Sequence, residues 1–156
     1  MGATKEVTQG EGPLRARDAS DKHDGDYWLE NAQTDAERFR LIQEVSRGFD
    51  QPMWEVGERF ERFEVALKDG NAPLAKYHWE KIKRTIEVGL IKRPRRGETA
   101  RQLFLETAWP QIQAELESAD IARARAALPM AREACRSCHL AENVAYMNDQ
   151  PLLRDR

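Results

Sequence analysis

The chain has 156 residues, with 25 Lys and Arg against 27 Asp and Glu and a formal net charge of −2. That length suits one domain with its own core, and the near-balance of charge gives no global field to gather nucleic acid or an anionic membrane surface. With charged residues at 33% and no long apolar run, no segment reads as a membrane span.

Residues 1–26 are rich in Gly, Asp, Lys and Thr and almost free of apolar side chains. They lack the surface whose burial would offset the entropy of ordering, and predict a mobile arm that reaches to residue 33. His23 lies in it without neighbouring ligands and is expected to be solvated. The opening stretch MGATKEVTQGEGPLRARDAS shows no basic, apolar and small-residue succession of a secretory signal.

Residues 34–156 are expected to form one helical domain. In TDAERFRLIQEVSRGFD, Thr34 stands three residues before Glu37 as in a capping box, and Phe39, Ile42 and Val45 recur at helical spacing. This predicts a short lead-in helix over 35–47, ended near Gly48. In DQPMWEVGERFERFEVALKDGN, Asp50 and Pro52 mark a start and Asp69-Gly70-Asn71 a stop, with Met53, Val56, Gly57, Phe60, Phe63 and Leu67 along one face. The next helix, APLAKYHWEKIKRTIEVGLIKRP, is expected to bury Leu74, Tyr77, Ile82, Ile86 and Leu90. So short a link makes the two helices antiparallel neighbours.

KRPRRGE then interrupts the pattern. Thr99 with Gln102 suggests a second capping box opening a third helix through ARQLFLETAWPQIQAELES, kinked at Pro110. Asp120 caps a fourth, from Ile121 to about Tyr146, kinked at Pro129. No strand pattern or internal repeat occurs. The expected fold is all-α: an antiparallel four-helix bundle with a short lead-in helix and a mobile N-terminal arm.

The fourth helix carries AREACRSCHL, which holds the only two cysteines in the chain. Cys135, Cys138 and His139 read C-x-x-C-H. On one helical turn this supplies two thiols to bond the vinyl groups of a porphyrin and an imidazole to ligate its iron, the pattern of c-type haem attachment. A thioredoxin-like dithiol belongs at a helix start after a strand, and a zinc site needs a fourth ligand, for which His78 is the one histidine in the folded region. Haem is the stronger reading.

A sixth iron ligand must then come from another helix, because one straight helix cannot pass both faces of a porphyrin. Met1 is on the arm, and Met130 and Met147 share the expected proximal helix. Met53 is left as the axial partner, with Gly57 one turn on, where a missing side chain would admit a flat macrocycle. A thioether suits haem iron; His78 is the second choice. Phe60 and Leu67 follow on the same face as the expected apolar haem contacts, although such residues ordinarily serve the core. The run Lys92, Arg93, Arg95, Arg96 and Arg101 is ordinarily a solvated turn. Its functional alternative is a docking patch for an acidic redox partner, or an arginine on a haem propionate.

RGFDQPMWEVGERFERF, DGNAPLAKYHWEKI and ACRSCH together resemble the cytochrome c′ and cytochrome c-556 class of small bacterial c-type cytochromes, over about residues 40 to 146. The resemblance implies one haem c attached through Cys135 and Cys138, ligated by His139 and Met53, in a periplasmic electron carrier. Bundles of this class often pair through their first helices, which leaves a homodimer or a larger redox complex open.

The expected function is one-electron transfer with protein redox partners and no enzyme activity. The sequence holds no Gly-rich phosphate loop, no nucleophile at motif spacing from a base and no H-E-x-x-H. Two alternatives belong to other classes. One is a haem-based gas sensor in which Met53 leaves the iron open; the other is a docking subunit whose arm orders on a larger redox complex.

Overall fold

The computed structural model describes residues 28–118 and 120–154. The greater part of the expected arm, and His23 with it, lies outside them. The chain divides into two units, residues 1–45 and 46–156. That boundary falls after the lead-in helix, where the sequence reading sets it at 33/34.

In the first unit, helix α1 runs Asp35–Val45. Thr34 Oγ1 accepts from the Glu37 N–H at 3.1 Å, and the Glu37 carboxylate accepts in return from the Gln33 N–H at 2.8 Å. The capping box is therefore present, closed one residue further back than the usual reciprocal pair. α1 buries none of its residues, so the stripe Phe39, Ile42 and Val45 stays exposed. The helix stops at Val45 rather than 47, and Arg47, not Gly48, takes the positive φ of 58°.

The second unit begins with α2, Asp50–Lys68, and α3, Ala72–Lys92. Gly70 sits at φ 71°, in the left-handed region that suits glycine, while Asn71 donates its N–H to the Ala66 carbonyl at 2.9 Å. The Asn71 side chain then accepts from the Leu74 N–H at 3.2 Å, so one residue closes α2 and caps α3. The far ends of the pair also meet. A Cβ built on Gly89 would lie 2.7 Å from the Phe49 ring and 3.1 Å from Pro52 Cβ. The start of α2 thus rests on the end of α3, and the two helices are antiparallel.

Their shared face is aromatic. Phe63 and Trp79 lie with ring centroids 4.9 Å apart, and Phe60 meets both edge-on. α3 buries Ala75, His78, Trp79, Ile82, Thr85, Ile86 and Gly89, whereas Leu74 and Tyr77 are exposed. Of the expected stripe Ile82 and Ile86 are buried and Leu90 is half-buried, while before Ile82 the stripe is one residue out of phase. Its first turn is oriented by the Asn71 cap, and His78 and Trp79 both turn inward.

After α3 the chain makes a 3-10 turn, Pro94–Arg96, a short α4, Gly97–Ala100, and a π-turn, Arg101–Leu105, closed by Glu106 N–H to Arg101 carbonyl at 2.9 Å. α5 follows at Ala108–Glu117. The expected single third helix is therefore two segments. Thr99 does not cap it; Glu98 instead accepts from the Gln102 amide at 2.5 Å within the turn. Pro110 makes no kink, because it is the third residue of α5, where the missing N–H has no intrahelical acceptor to lose. Trp79 and Trp109 join α3 to α5 by exchanging hydrogen bonds, each indole N–H donating to the other's carbonyl at 3.1 and 3.2 Å.

The expected fourth helix is likewise divided. α6 is Ile121–Ala126, capped by the Asp120 carboxylate, and α7 is Leu128–Ala141, with Pro129 in its first turn. The division at Ala127 takes the place of the kink. Arg125 of α6 donates to the Leu67 and Lys68 carbonyls at 2.8 and 2.7 Å, satisfying the C-terminal end of α2. Arg132 of α7 pairs with Glu64 of α2 and also donates to the Leu152 carbonyl at 3.2 Å. α7 ends at Ala141, five residues short of Tyr146, and two 3-10 turns follow, Ala145–Asp149 and Pro151–Leu153. Among the described residues every regular element is helical and there is no strand. None of these helices is long and apolar enough to cross a membrane.

Candidate functional site

α7 places Cys135 and Cys138 three residues apart, so both thiols leave the same side of the helix. Ala131 and Ala134, on the inward side, are buried, and both cysteines pack half-buried against the main core. Cys138 Sγ lies 4.0 Å from the Thr99 carbonyl of α4. Burial pushes the Cys135 thiol up to about 12, with Cys138 adding to the shift while Arg136 and Arg132 oppose it. Burial, helped by Glu142, pushes Cys138 up to about 11. At neutral pH both are thiols, opposite to the depressed pKa that activates a redox dithiol.

His139 follows at the helix end. Asn143 adopts φ 58°, the left-handed stop, and the Val144 N–H donates to the His139 carbonyl at 2.8 Å. The chain then doubles back and sets Asn148 Oδ1 2.8 Å from His139 Nδ1. Asn148 Nδ2 donates to the Arg136 carbonyl at 3.3 Å, which fixes the amide with its oxygen toward the imidazole. With the amide oxygen on this side, the contact favours the tautomer that donates from His139 Nδ1 and keeps the lone pair on Nε2. A histidine that donates through one ring nitrogen in this way is oriented to ligate through the other.

Met53 is half-buried near the start of α2, packed against the same core as the two cysteines. Gly57, one turn on, is also half-buried; a Cβ there would meet Leu152 Cδ2 at 3.8 Å, an ordinary contact. Phe60 is 2% exposed, inside the aromatic core, with the Arg132 guanidinium 5.9 Å from its ring centroid. Cys135, Cys138 and Met53 each border the extended core, and Phe60 is a buried member of it.

Met147 lies beyond α7, in the turn Ala145–Asp149, so the shared-helix argument does not exclude it as it excludes Met130; its sulfur accepts from the Gln150 amide at 3.4 Å. His78 is 7% exposed on α3, with no hydrogen-bond partner at Nδ1. Burial, then the charges of Arg59 and Arg62, hold its pKa below the usual histidine value. Among the described residues no three His, Cys, Asp or Glu side chains gather as a metal site.

Sequence reasoning missed Asn148 and the Arg132 contacts. The signal for the first was present: Asn143 is a residue type that tolerates the left-handed stop, and reading the helix through it to Tyr146 hid the reversal that follows. Comparison with protein-family models, with curated proteins and with solved structures finds no match. The likeness to the cytochrome c′ and c-556 class rests on the quoted residues alone.

Proposed function

We propose that this chain is a monohaem c-type cytochrome, a one-electron carrier that resembles the cytochrome c′ and c-556 class, acts in the periplasm with protein redox partners and has no enzyme activity of its own. In this reading α2, α3, the α4–α5 segment and the α6–α7 segment are the four arms of an antiparallel bundle. The observation that carries the proposal is the His139–Asn148 hydrogen bond at 2.8 Å, which leaves Nε2 free one residue after the second of two thiols on the same helical face.

The donor set fits the group: two un-ionised thiols suited to thioether formation, one imidazole whose Nδ1 is held by Asn148, and a thioether at Met53 that borders the same extended core. Cys135 and Cys138 would hold the haem, and His139 and Met53 would ligate it, with Gly57 and Phe60 beside Met53 on α2. When bound, the haem supplies an iron couple that gains and loses one electron. The chain's own part is to orient the imidazole through Asn148 and to surround the site with apolar side chains that keep water away.

Spectra of protein matured in a host able to attach haem c test the reading, oxidised and reduced, with and without carbon monoxide. A low-spin spectrum with the weak far-red band of sulfur ligation, lost in Met53→Ala, is the expected result. A high-spin spectrum that shifts with carbon monoxide in the wild type would remove Met53 as a ligand and favour a gas sensor. Absence of covalent haem would return the cysteines to dithiol or metal chemistry.

A further inference from the structure

Where α3 ends, the chain forms a cavity of about 490 Å³ lined by Lys92, Arg93, Pro94, Arg95, Arg96 and Glu142. Most of the described arginines pair with a carboxylate, many within one helical turn, as Arg40 does with Glu44 and Arg59 with Glu55. Of the side chains that line this cavity four are cations and one is a carboxylate, with Asp50 close to Arg93 across Gly48. Arg96 meets Glu142 at 3.4 Å; Lys92 donates to the Ser46 carbonyl at 2.5 Å and Arg93 to the adjacent Lys92 carbonyl at 2.8 Å. Lys92 alone lies in the last turn of α3, where a cation complements the helix dipole. Arg93 and Arg95 lie beyond it and are exposed, so helix capping does not account for them.

The cavity adjoins the candidate site. Glu142 is the residue that closes α7, donating its N–H to the Cys138 carbonyl at 3.0 Å. On either side of it in the chain stand Leu140, Tyr146 and Met147, exposed at 60%, 67% and 37%. Exposed arginine, the residue type that Arg93 and Arg95 supply here, is enriched at protein interfaces. An extended basic track of the kind that follows a nucleic-acid backbone is not what this surface offers, because the excess charge stops within one turn.

We propose that this cavity is the docking site for a carboxylate-rich segment of a partner protein. The exposed Arg93 and Arg95 forks take its carboxylates, and Arg96 and Lys92 add to the local positive field. The acidic chemistry of the partner rests on the cavity alone; that the partner exchanges electrons rests on the proposed function.

The test titrates the full isotope-labelled chain, with and without covalent haem, with an octaglutamate peptide at low and at physiological salt. The expected result is amide shifts confined to residues 92–97 and the neighbourhood of Glu142, weakening of at least about tenfold on raising the salt, and a similar loss in Arg93→Glu/Arg95→Glu. Lys68→Glu, at the opposite end of the α2–α3 pair, should leave binding unchanged. Shifts scattered over the surface, equal loss in Lys68→Glu, or no binding at low salt would overturn the proposal. Tighter binding of an oligothymidylate of the same length would replace it with a nucleic-acid site. Peptide binding to chains without haem separates this outcome from the fate of the cytochrome reading.

Discussion

The tautomer of His139 is set nine residues further along the chain, by an amide whose own orientation is fixed at the Arg136 carbonyl. Asn148→Ala removes the acceptor and leaves Nδ1–H to water. The variant is expected to lose about 1 kcal/mol of stability, the usual net worth of such a bond, and to show a mixture of the two neutral tautomers. Nitrogen–proton NMR of the imidazole reads that ratio directly in the chain without haem. Unchanged Nδ1 protonation would remove Asn148 as the orienting group. The motif residues themselves were legible because their chemistry is contiguous: C-x-x-C-H needs no tertiary contact to be recognised. Asn148 was not, since its role exists only once the chain reverses at Asn143.

At the level of the helices, α2 and α3 were legible to their ends because start, stop and apolar face agree in each. The turn signals around Gly70 and the proline near each start leave little choice of boundary. The later segments were misjudged where proline was taken as a kink within a helix. In the structure Pro110 and Pro129 each lie in the first turn of a new one. The break before α5 is backbone, with Thr107 at φ −120° and ψ −86°, and nothing in its side chain announces it. The α2–α3 contact offers a sharper test. Alanine in place of Gly89 should gain about 1 kcal/mol of helix propensity. It also drives a methyl into the Phe49 ring at 2.7 Å and against Pro52, and such overpacking costs about 1–3 kcal/mol. Net destabilisation is expected in urea unfolding, and Phe49→Ala should restore the gain; a more stable Gly89→Ala would show that the ring yields freely.

For the molecule as a whole, the buried imidazole of His78 links stability to pH. Its pKa lies below 6.5 when folded, because burial and the Arg59 and Arg62 charges oppose the cation, and returns to the ordinary value when unfolded. Between those two values the unfolded chain binds the proton and the folded chain does not. Stability is therefore full above pH 6.5, falls as the pH drops toward the folded pKa and levels off beneath it. Denaturant unfolding at about pH 8 and about pH 5 should show this difference, and His78→Leu should reduce it. An equal slope in the variant would assign the effect to other groups. The all-α class followed from the absence of any two-residue alternation. The basic run after α3 was visible too, but its concavity depends on Glu142 coming back from α7, which no local pattern reports.

The exchanged indole bonds between Trp79 and Trp109 bear on how such a chain opens. Each ring holds the other's backbone, so α5 cannot leave α3 by giving up one bond and keeping its twin. Both donors lose their partners in the same event, one of them from a wholly buried ring. Local opening of α5 from α3 is thereby expected to cost more than opening at an exposed helix end, where water takes up the freed groups.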